Sequence, residues 1–253
     1  MSERWHEQLI AEFIGTFALV FIGAGAVVVA GLDTGSGLVG VALAHGVVLA
    51  VMVSVLAHIS GAHFNPAVTL AIWVARKIDT PRALLYIVTQ LVAGIVAAFA
   101  LKWVLPETLW NPAGAGESLG NTTVNVGLGM TAVRAFAIEA FLTFFLVIAV
   151  FGTAVDDRGP FAKTAGLTIG LVLVFDILMG GPLTGASMNP ARSLGPALAT
   201  GDLTNIWVYF AGPIGGGVVA AALYWPVFLW SREGVGQPPS KLPVEATDDK
   251  GLD

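Results

Sequence analysis

Apolar residues run along this chain in long unbroken blocks, not in the strict alternation of a half-buried strand. Crossing a ~30 Å hydrocarbon core takes about 20 mostly apolar residues in a helix. Stretches free of Asp, Glu, Lys and Arg that reach or approach this length are Phe13–Leu32, Ala83–Leu101, Ala140–Val155 and Leu203–Ser231. A fifth helix is predicted over about Ala162–Gly180, with Asp176 in its interior. The remaining stretch, Thr34–Ala75, is about twice too long for one span and contains Asn65-Pro66 where a second span would continue. Broken backbone at membrane depth is tolerated only inside protein or beside a water-filled cavity. The pattern therefore predicts one span near Leu38–Ala57, then a loop that dips in and leaves as a short helix from Pro66, a residue suited to the first helical position.

Composition agrees. Of 253 residues, 56% are hydrophobic and 11% charged, against about 25% charged in ordinary soluble domains. That shortfall excludes a soluble enzyme and a disordered chain, and a net charge of −5 leaves no basic footprint for nucleic acid. With Cys 0 there is no disulfide framework and no thiolate chemistry. Arg4, Arg76, Lys77, Arg82, Arg158, Lys163, Arg232, Lys241 and Lys250 fall in the termini and in the connections after spans two and four. Positive charge marks the cytoplasmic side, so six full spans with both termini inside are expected. Glu3, Arg4, Glu7 and Glu12 do not make the start of a cleavable leader, and segment one reads as a retained anchor. The stretch after residue 230 reads as a polar cytoplasmic tail (231–253).

The chain also repeats itself. Glu12-Phe13-Ile14-Gly15-Thr16-Phe17 pairs with Glu139-Ala140-Phe141-Leu142-Thr143-Phe144, and Leu43-Ala44-His45-Gly46 with Leu167-Thr168-Ile169-Gly170. Ser60-Gly61-Ala62-His63-Phe64-Asn65-Pro66-Ala67 pairs with Thr184-Gly185-Ala186-Ser187-Met188-Asn189-Pro190-Ala191. The last two pairs share one offset, 124 positions. Each repeat, about 9–104 and 132–230, holds three spans, an odd number, so the second enters from the opposite face. Such inverted repeats place a functional site near the midplane where broken helices meet. Short helices of about ten residues span half the hydrocarbon core, so their positive N-terminal ends meet at its centre. That arrangement repels cations and passes uncharged solutes.

Paired Asn65-Pro66-Ala67 and Asn189-Pro190-Ala191, with Ser60-Gly61-Ala62-His63 before one and Arg192 after the other, resemble the signature of the aquaporin (major intrinsic protein) family over about Leu9–Trp230. The resemblance implies an all-α membrane protein of six helices plus two re-entrant half-helices, one pore per subunit, and a homotetramer. It implies a passive channel for water, with room for ammonia or another small neutral solute, no cofactor, and the cell (plasma or inner) membrane as its site. It also implies a constriction made by His45, Ile177, Ala186 and Arg192, a set most similar to plant vacuolar aquaporins, with Glu12, Glu139 and His63 supporting the re-entrant loops. Ser193 and Ala197 stand where the glycerol-conducting branch carries Asp and a basic residue, and Tyr209-Phe210 replaces a Pro-containing pair, which favours the water branch over a glycerol facilitator.

Each residue also has a plainer reading. Asn65 and Asn189 suit helix N-caps, and both roles hold together. Arg192 is an ionised group at membrane depth with five fixed donors, to be weighed against a snorkelling surface Arg. His45 is either a filter member or a satisfied core histidine. Glu12 and Glu139 either brace the loops or relay protons; two separated carboxylates make no continuous chain, which favours the brace. His58 and His63 belong to the cytoplasmic approach, and with His45 they lack the converging carboxylates of a metal site. Asp176, one residue before Ile177, has three readings: pairing across a subunit boundary, holding a cation on an assembly axis, or a neutral acid. Asn111-Pro112-Ala113 reads as a loop without a following helix, and Asn121-Thr122-Thr123 matches glycosylation spacing by three residues only. A secondary transporter, also built from inverted repeats, would need coupling-ion ligands near Asn65 or Asn189. A membrane enzyme finds no nucleophile–base pair, and an adhesion protein finds no sequence feature.

Overall fold

The computed structural model describes residues 5–32, 37–113, 116–156, 158 and 162–230. The tail at 231–253, with Arg232, Lys241 and Lys250, and the N-terminal Glu3 and Arg4 lie outside the described residues. In chain order the helices are α1 (Trp5–Ala30), α2 (Gly37–Ser60), α3 (Pro66–Val74), α4 (Thr80–Val104), α5 (Glu107–Trp110), α6 (Ala132–Val150), α7 (Ala165–Thr184), α8 (Pro190–Thr200) and α9 (Val208–Tyr224). The chain of α6 continues through a wider π turn, Phe151–Val155. Among the described residues, six helices are long and apolar enough to cross a membrane: α1, α2, α4, α6 with its π turn, α7, and α9 extended to Leu229.

Helix starts follow local chemistry. The Asp79 carboxylate accepts from Arg82 N at the head of α4, and the Thr131 hydroxyl from Arg134 N at α6. Val39, Leu84, Phe141, Leu167 and Val219 point outward, as lipid contact requires. Inward faces are small, because without a hydrophobic drive between helices in lipid it is close backbone approach that stabilises packing. Helices α2 and α7 cross at Gly46 and Gly170, equivalent positions of the repeat. A Cβ on Gly46 would lie 2.6 Å from the Gly170 carbonyl oxygen. Gly94 of α4 likewise packs on the Ala191 carbonyl of α8, and Gly217 of α9 on the Ala67 carbonyl of α3.

Elements differ from the sequence expectation at their edges. Helix α6 starts at Ala132 and not at Ala140, since the Thr131 cap and a stretch holding Arg134 and Glu139 extend it beyond the charge-free run. Helix α1 starts at Trp5 and not at Phe13, since a polar first turn with Glu7 extends it beyond the apolar run. Helix α9 starts at Val208 and not near Leu203, since Gly201 takes the left-handed conformation (φ 74°) that ends α8, and a turn follows. Asn111-Pro112-Ala113 begins no helix; Asn111 closes α5, its amide nitrogen donating to the Glu107 carboxylate.

Candidate functional site

The two half-helices α3 and α8 have 9 and 11 residues, about 14 and 17 Å at 1.5 Å per residue, which together match the ~30 Å core. Each is capped by its asparagine. Asn65 Oδ1 accepts from Ala67 N at 2.8 Å, and Asn189 Oδ1 from Ala191 N at 2.9 Å. The amide nitrogens then cross over: Asn65 Nδ2 donates to the Met188 carbonyl (2.8 Å) and Asn189 Nδ2 to the Phe64 carbonyl (2.9 Å). The N-termini are thus held tip to tip by a reciprocal pair of bonds. Each NH₂ carries two hydrogens and spends one here. Pro66 and Pro190 supply the first helical residue, and Ala67 and Ala191, both fully buried, leave the backbones room to approach.

The loops into these caps are turned by unusual backbone. Gly61, Ala62 and Phe64 have φ of 89°, 52° and 50°; Gly185, Ala186 and Met188 have 85°, 44° and 53°. Left-handed conformations at non-glycine residues cost roughly 1–2 kcal/mol each and persist where the surroundings over-determine them. Here buried carboxylates do so. Glu12 accepts from His63 N (2.9 Å), Phe64 N (2.8 Å), the Ser60 hydroxyl (2.7 Å) and Gln90 Nε2 (2.7 Å). Glu139 accepts from Ser187 N (2.9 Å), Met188 N (2.8 Å) and the Thr184 hydroxyl (2.7 Å). Tyr86 and Tyr209 donate their phenol hydrogens to the Ser60 and Thr184 carbonyls, both at 2.8 Å. Sequence reading missed Tyr86, Gln90 and the bracing role of Tyr209; the tyrosine pair has its signal in the repeat, at an offset of 123. The His63 ring sits 3.1 Å from the Thr69 hydroxyl and edge-on to Tyr86, while His58 is exposed.

A cavity of about 450 Å³ runs past the caps, lined by Asn65, Asn189, His63, Val68, Ile169 and Leu173 among others, and it reaches Lys77 and Val155 at one end. A vestibule of about 700 Å³ opens at the opposite end, between Asn121, residues 123–127, Leu38 and Pro182. His45, Ile177 and Arg192 line both spaces and stand where they meet; Ala186 lines the first, beside Gly185 in the second. All four are buried. Arg192 Nη1 donates to the Gly120 carbonyl (2.6 Å), and Nη2 lies 3.4 Å from His45 Nε2. The other ring nitrogen, Nδ1, is 2.9 Å from the Val41 carbonyl. A carbonyl accepts only, so Nδ1 carries the hydrogen and Nε2 is left to accept from the guanidinium.

Asp176 is 1% exposed within the single chain, and neither carboxylate oxygen has a hydrogen-bond partner among the described residues. Pairing across a subunit boundary or binding a cation on an assembly axis needs an outward-facing carboxyl, so the structure overturns both settings. Asn121 uses its amide on Thr200 and on Leu119 N, so its side chain is engaged inside the fold.

The profile of the family described as MIP, Major intrinsic protein, matches residues 1–224. "Aquaporin TIP4-4" of Zea mays is 40% identical over 246 residues, covering 95% of this chain and 92% of that protein. "Aquaporin TIP2-1" of Arabidopsis thaliana is 40% identical over 234 residues, covering 89% of each. Among solved structures, the aquaglyceroporin from Plasmodium falciparum superposes with a TM-score of 0.73 at 26% identity, covering 89% of this chain and 97% of that one. Half-helix pair, inverted repeat and relatives agree: the chain belongs to the major intrinsic protein family.

Proposed function

We propose that this chain is a passive transmembrane water channel. The carrying observation is the reciprocal Asn65–Met188 and Asn189–Phe64 bonding, which fixes two half-helix N-termini against each other beside a lined passage. At that point about +0.5 charge from each half-helix faces the lumen, and one amide hydrogen of each asparagine remains for a passing oxygen. Arg192, permanently charged, adds a second cation barrier where the two spaces meet. Val68, Ile169 and Leu173 offer no hydrogen bonds along the wall, so water is held at few points and moves on. Asn65, Pro66, Ala67, Asn189, Pro190 and Ala191 form the central gate against ions, and His45, Ile177, Ala186 and Arg192 form the aperture. Glu12, Glu139 and His63 hold the loops in place. Ile177 and Ala186 give the aperture an apolar side, and ammonia is the additional solute that fits it.

Reconstitution into vesicles tests this. Osmotic shrinkage should be fast with a low activation energy and glycerol entry slow; water flux equal to protein-free vesicles overturns the reading. Saturable, gradient-driven uptake would point to the transporter alternative. Against that alternative, Glu12 and Glu139 are fully engaged with loop donors and so are not available to a coupling ion.

The two repeats, about 9–104 and 132–230, act as one channel domain with 231–253 as its tail. Both termini are cytoplasmic, four copies assemble, and the plasma or inner membrane holds them. Protease access at the tail, the mass of the detergent-solubilised particle and membrane fractionation check these three in turn; enrichment in an internal membrane overturns the last.

A further inference from the structure

We infer that residues 120–122 form a clasp on α8, and that Thr122 is a positioning residue that sets the solute cutoff by fixing Arg192; this rests on the channel reading above. Three consecutive residues hold three parts of one half-helix. The Gly120 carbonyl takes Arg192 Nη1 (2.6 Å), Asn121 Nδ2 donates to the Thr200 hydroxyl (2.8 Å), and the Thr122 hydroxyl meets the Ser193 hydroxyl at 2.6 Å. Gly120 has φ 72°, and a Cβ there would run into the Ala24 backbone, so the clasp is pressed against α1 by a turn that only glycine allows.

The Thr122 contact continues inward. The Ser193 hydroxyl lies 2.6 Å from the Ser187 hydroxyl, which donates to the Asn189 carbonyl at 2.9 Å. A hydroxyl has one hydrogen. Ser187 spends its own on Asn189, so Ser193 donates to Ser187 and Thr122 donates to Ser193. With the Ser187 hydrogen on Asn189, all three bonds of Thr122–Ser193–Ser187–Asn189 close together when the hydrogens run inward. All four residues are buried, where an unmade bond costs more than at a surface. The relay thus ties the outer connection to the residue directly after Arg192 and, at its far end, to the cap that faces the lumen. Gly120 holds the guanidinium head while Thr122 holds the side chain of Ser193, the residue next to its root. Among the described residues no connecting loop grips α3 in this way: Ala67 and Val68 stand where α8 has Ala191 and Arg192, and Thr69 of α3 bonds instead to Gln90 from α4, beside the His63 ring. The asymmetry falls on the half-helix that carries the arginine.

Solute cutoff and stability separate the possibilities. Thr122→Val keeps the shape and removes the relay's first donor; Thr122→Ser keeps the donor. Lys102→Met is the control, because Lys102 Nζ holds the far end of α8 at the Ala199 carbonyl (2.8 Å) without touching the relay. In proteoliposomes the ratio of glycerol to water permeability should rise about fivefold in Thr122→Val, the equivalent of one hydrogen bond. The ratio should stay at the wild-type value in Thr122→Ser. Lys102→Met should lower the melting temperature and leave the ratio alone. Ser193→Ala, which cuts the relay from the other side, should raise the ratio as Thr122→Val does, and it stands in if the valine variant does not fold. An unchanged ratio in the folded valine or alanine variant overturns the clasp's role, as does an equal rise in Lys102→Met. Failure of the wild type to pass water overturns the channel reading instead.

Discussion

Replacing Glu139 by Gln exposes how the second re-entrant loop is held. The carboxylate accepts three hydrogen bonds: two at Oε1, from Thr184 and Ser187 N, and one at Oε2, from Met188 N. A glutamine in the same pose keeps its oxygen at the first position, preserving two bonds, and turns an NH₂ group toward the Met188 N–H. Two donors then face each other in a buried site. An unsatisfied buried N–H costs about 1–3 kcal/mol, and the two surviving bonds lose the extra strength that a charged acceptor gave them, about 1 kcal/mol each. The sum, about 3–5 kcal/mol, is a large part of the 5–15 kcal/mol that holds a typical fold. Glu139→Ala, which strands all three donors, should be worse. Folded yield by size-exclusion chromatography and melting temperature in detergent should therefore fall in the order wild type, Glu139→Gln, Glu139→Ala. The surviving glutamine channels should keep their water-to-glycerol ratio, since no pore-lining group has changed. A glutamine variant with wild-type melting temperature and a new proton leak would refute the brace and favour a proton relay.

Gly94→Ala should abolish folded protein, because the added methyl meets the Ala191 carbonyl in the first turn of α8; wild-type yield by fluorescence-detected chromatography would show that α4 and α8 do not pack this closely. Water flow should resist mercurials, since Cys is 0; strong, thiol-reversible inhibition in proteoliposomes would contradict this. After the π turn that ends α6, Asp156 accepts from Arg158 Nε (2.7 Å), and the Arg158 guanidinium beside it holds its carboxyl below the usual value of 3.8. A lowered carboxyl favours the folded state above the unfolded pKa, and that contribution fades as pH falls through the folded one. Acid titration should thus loosen this corner only below about pH 4, and Asp156→Asn should remove that step from the melting-temperature profile; a step near pH 6–7 would show a different group at work.

The spans and both half-helices were legible because lipid imposes long apolar runs and because Asn-Pro recurs at a fixed offset. Edges were less legible. Hydropathy marks the part of a helix that sits in hydrocarbon, so α1 was read eight residues short of its start at Trp5. Around Leu203 the turn after Gly201 carries no charge beyond Asp202 and so looked like span. Arg192, His45 and Ile177 were legible as residues, but the grip on Arg192 was not, since its acceptor is the backbone carbonyl of Gly120 and a carbonyl leaves no mark in sequence. Gln90, beside Thr89 in a mostly apolar run, has no partner at the matching place of the second repeat, where Pro213 stands. Asp176 was visible as an oddity, and only the packed helices show that it faces inward.

The crossed asparagine bonds bear on how the molecule is made. Each carboxylate brace closes within its own half, so the first three crossings can settle as soon as the ribosome has released them. Asn65, however, waits for a carbonyl 123 residues downstream. Until Met188 emerges, the first half-helix has an amide with nowhere to bind, and the centre of the conduit is unfinished. A chain stopped after its first half should insert yet conduct nothing, and supplying the second half as a separate polypeptide should restore flow.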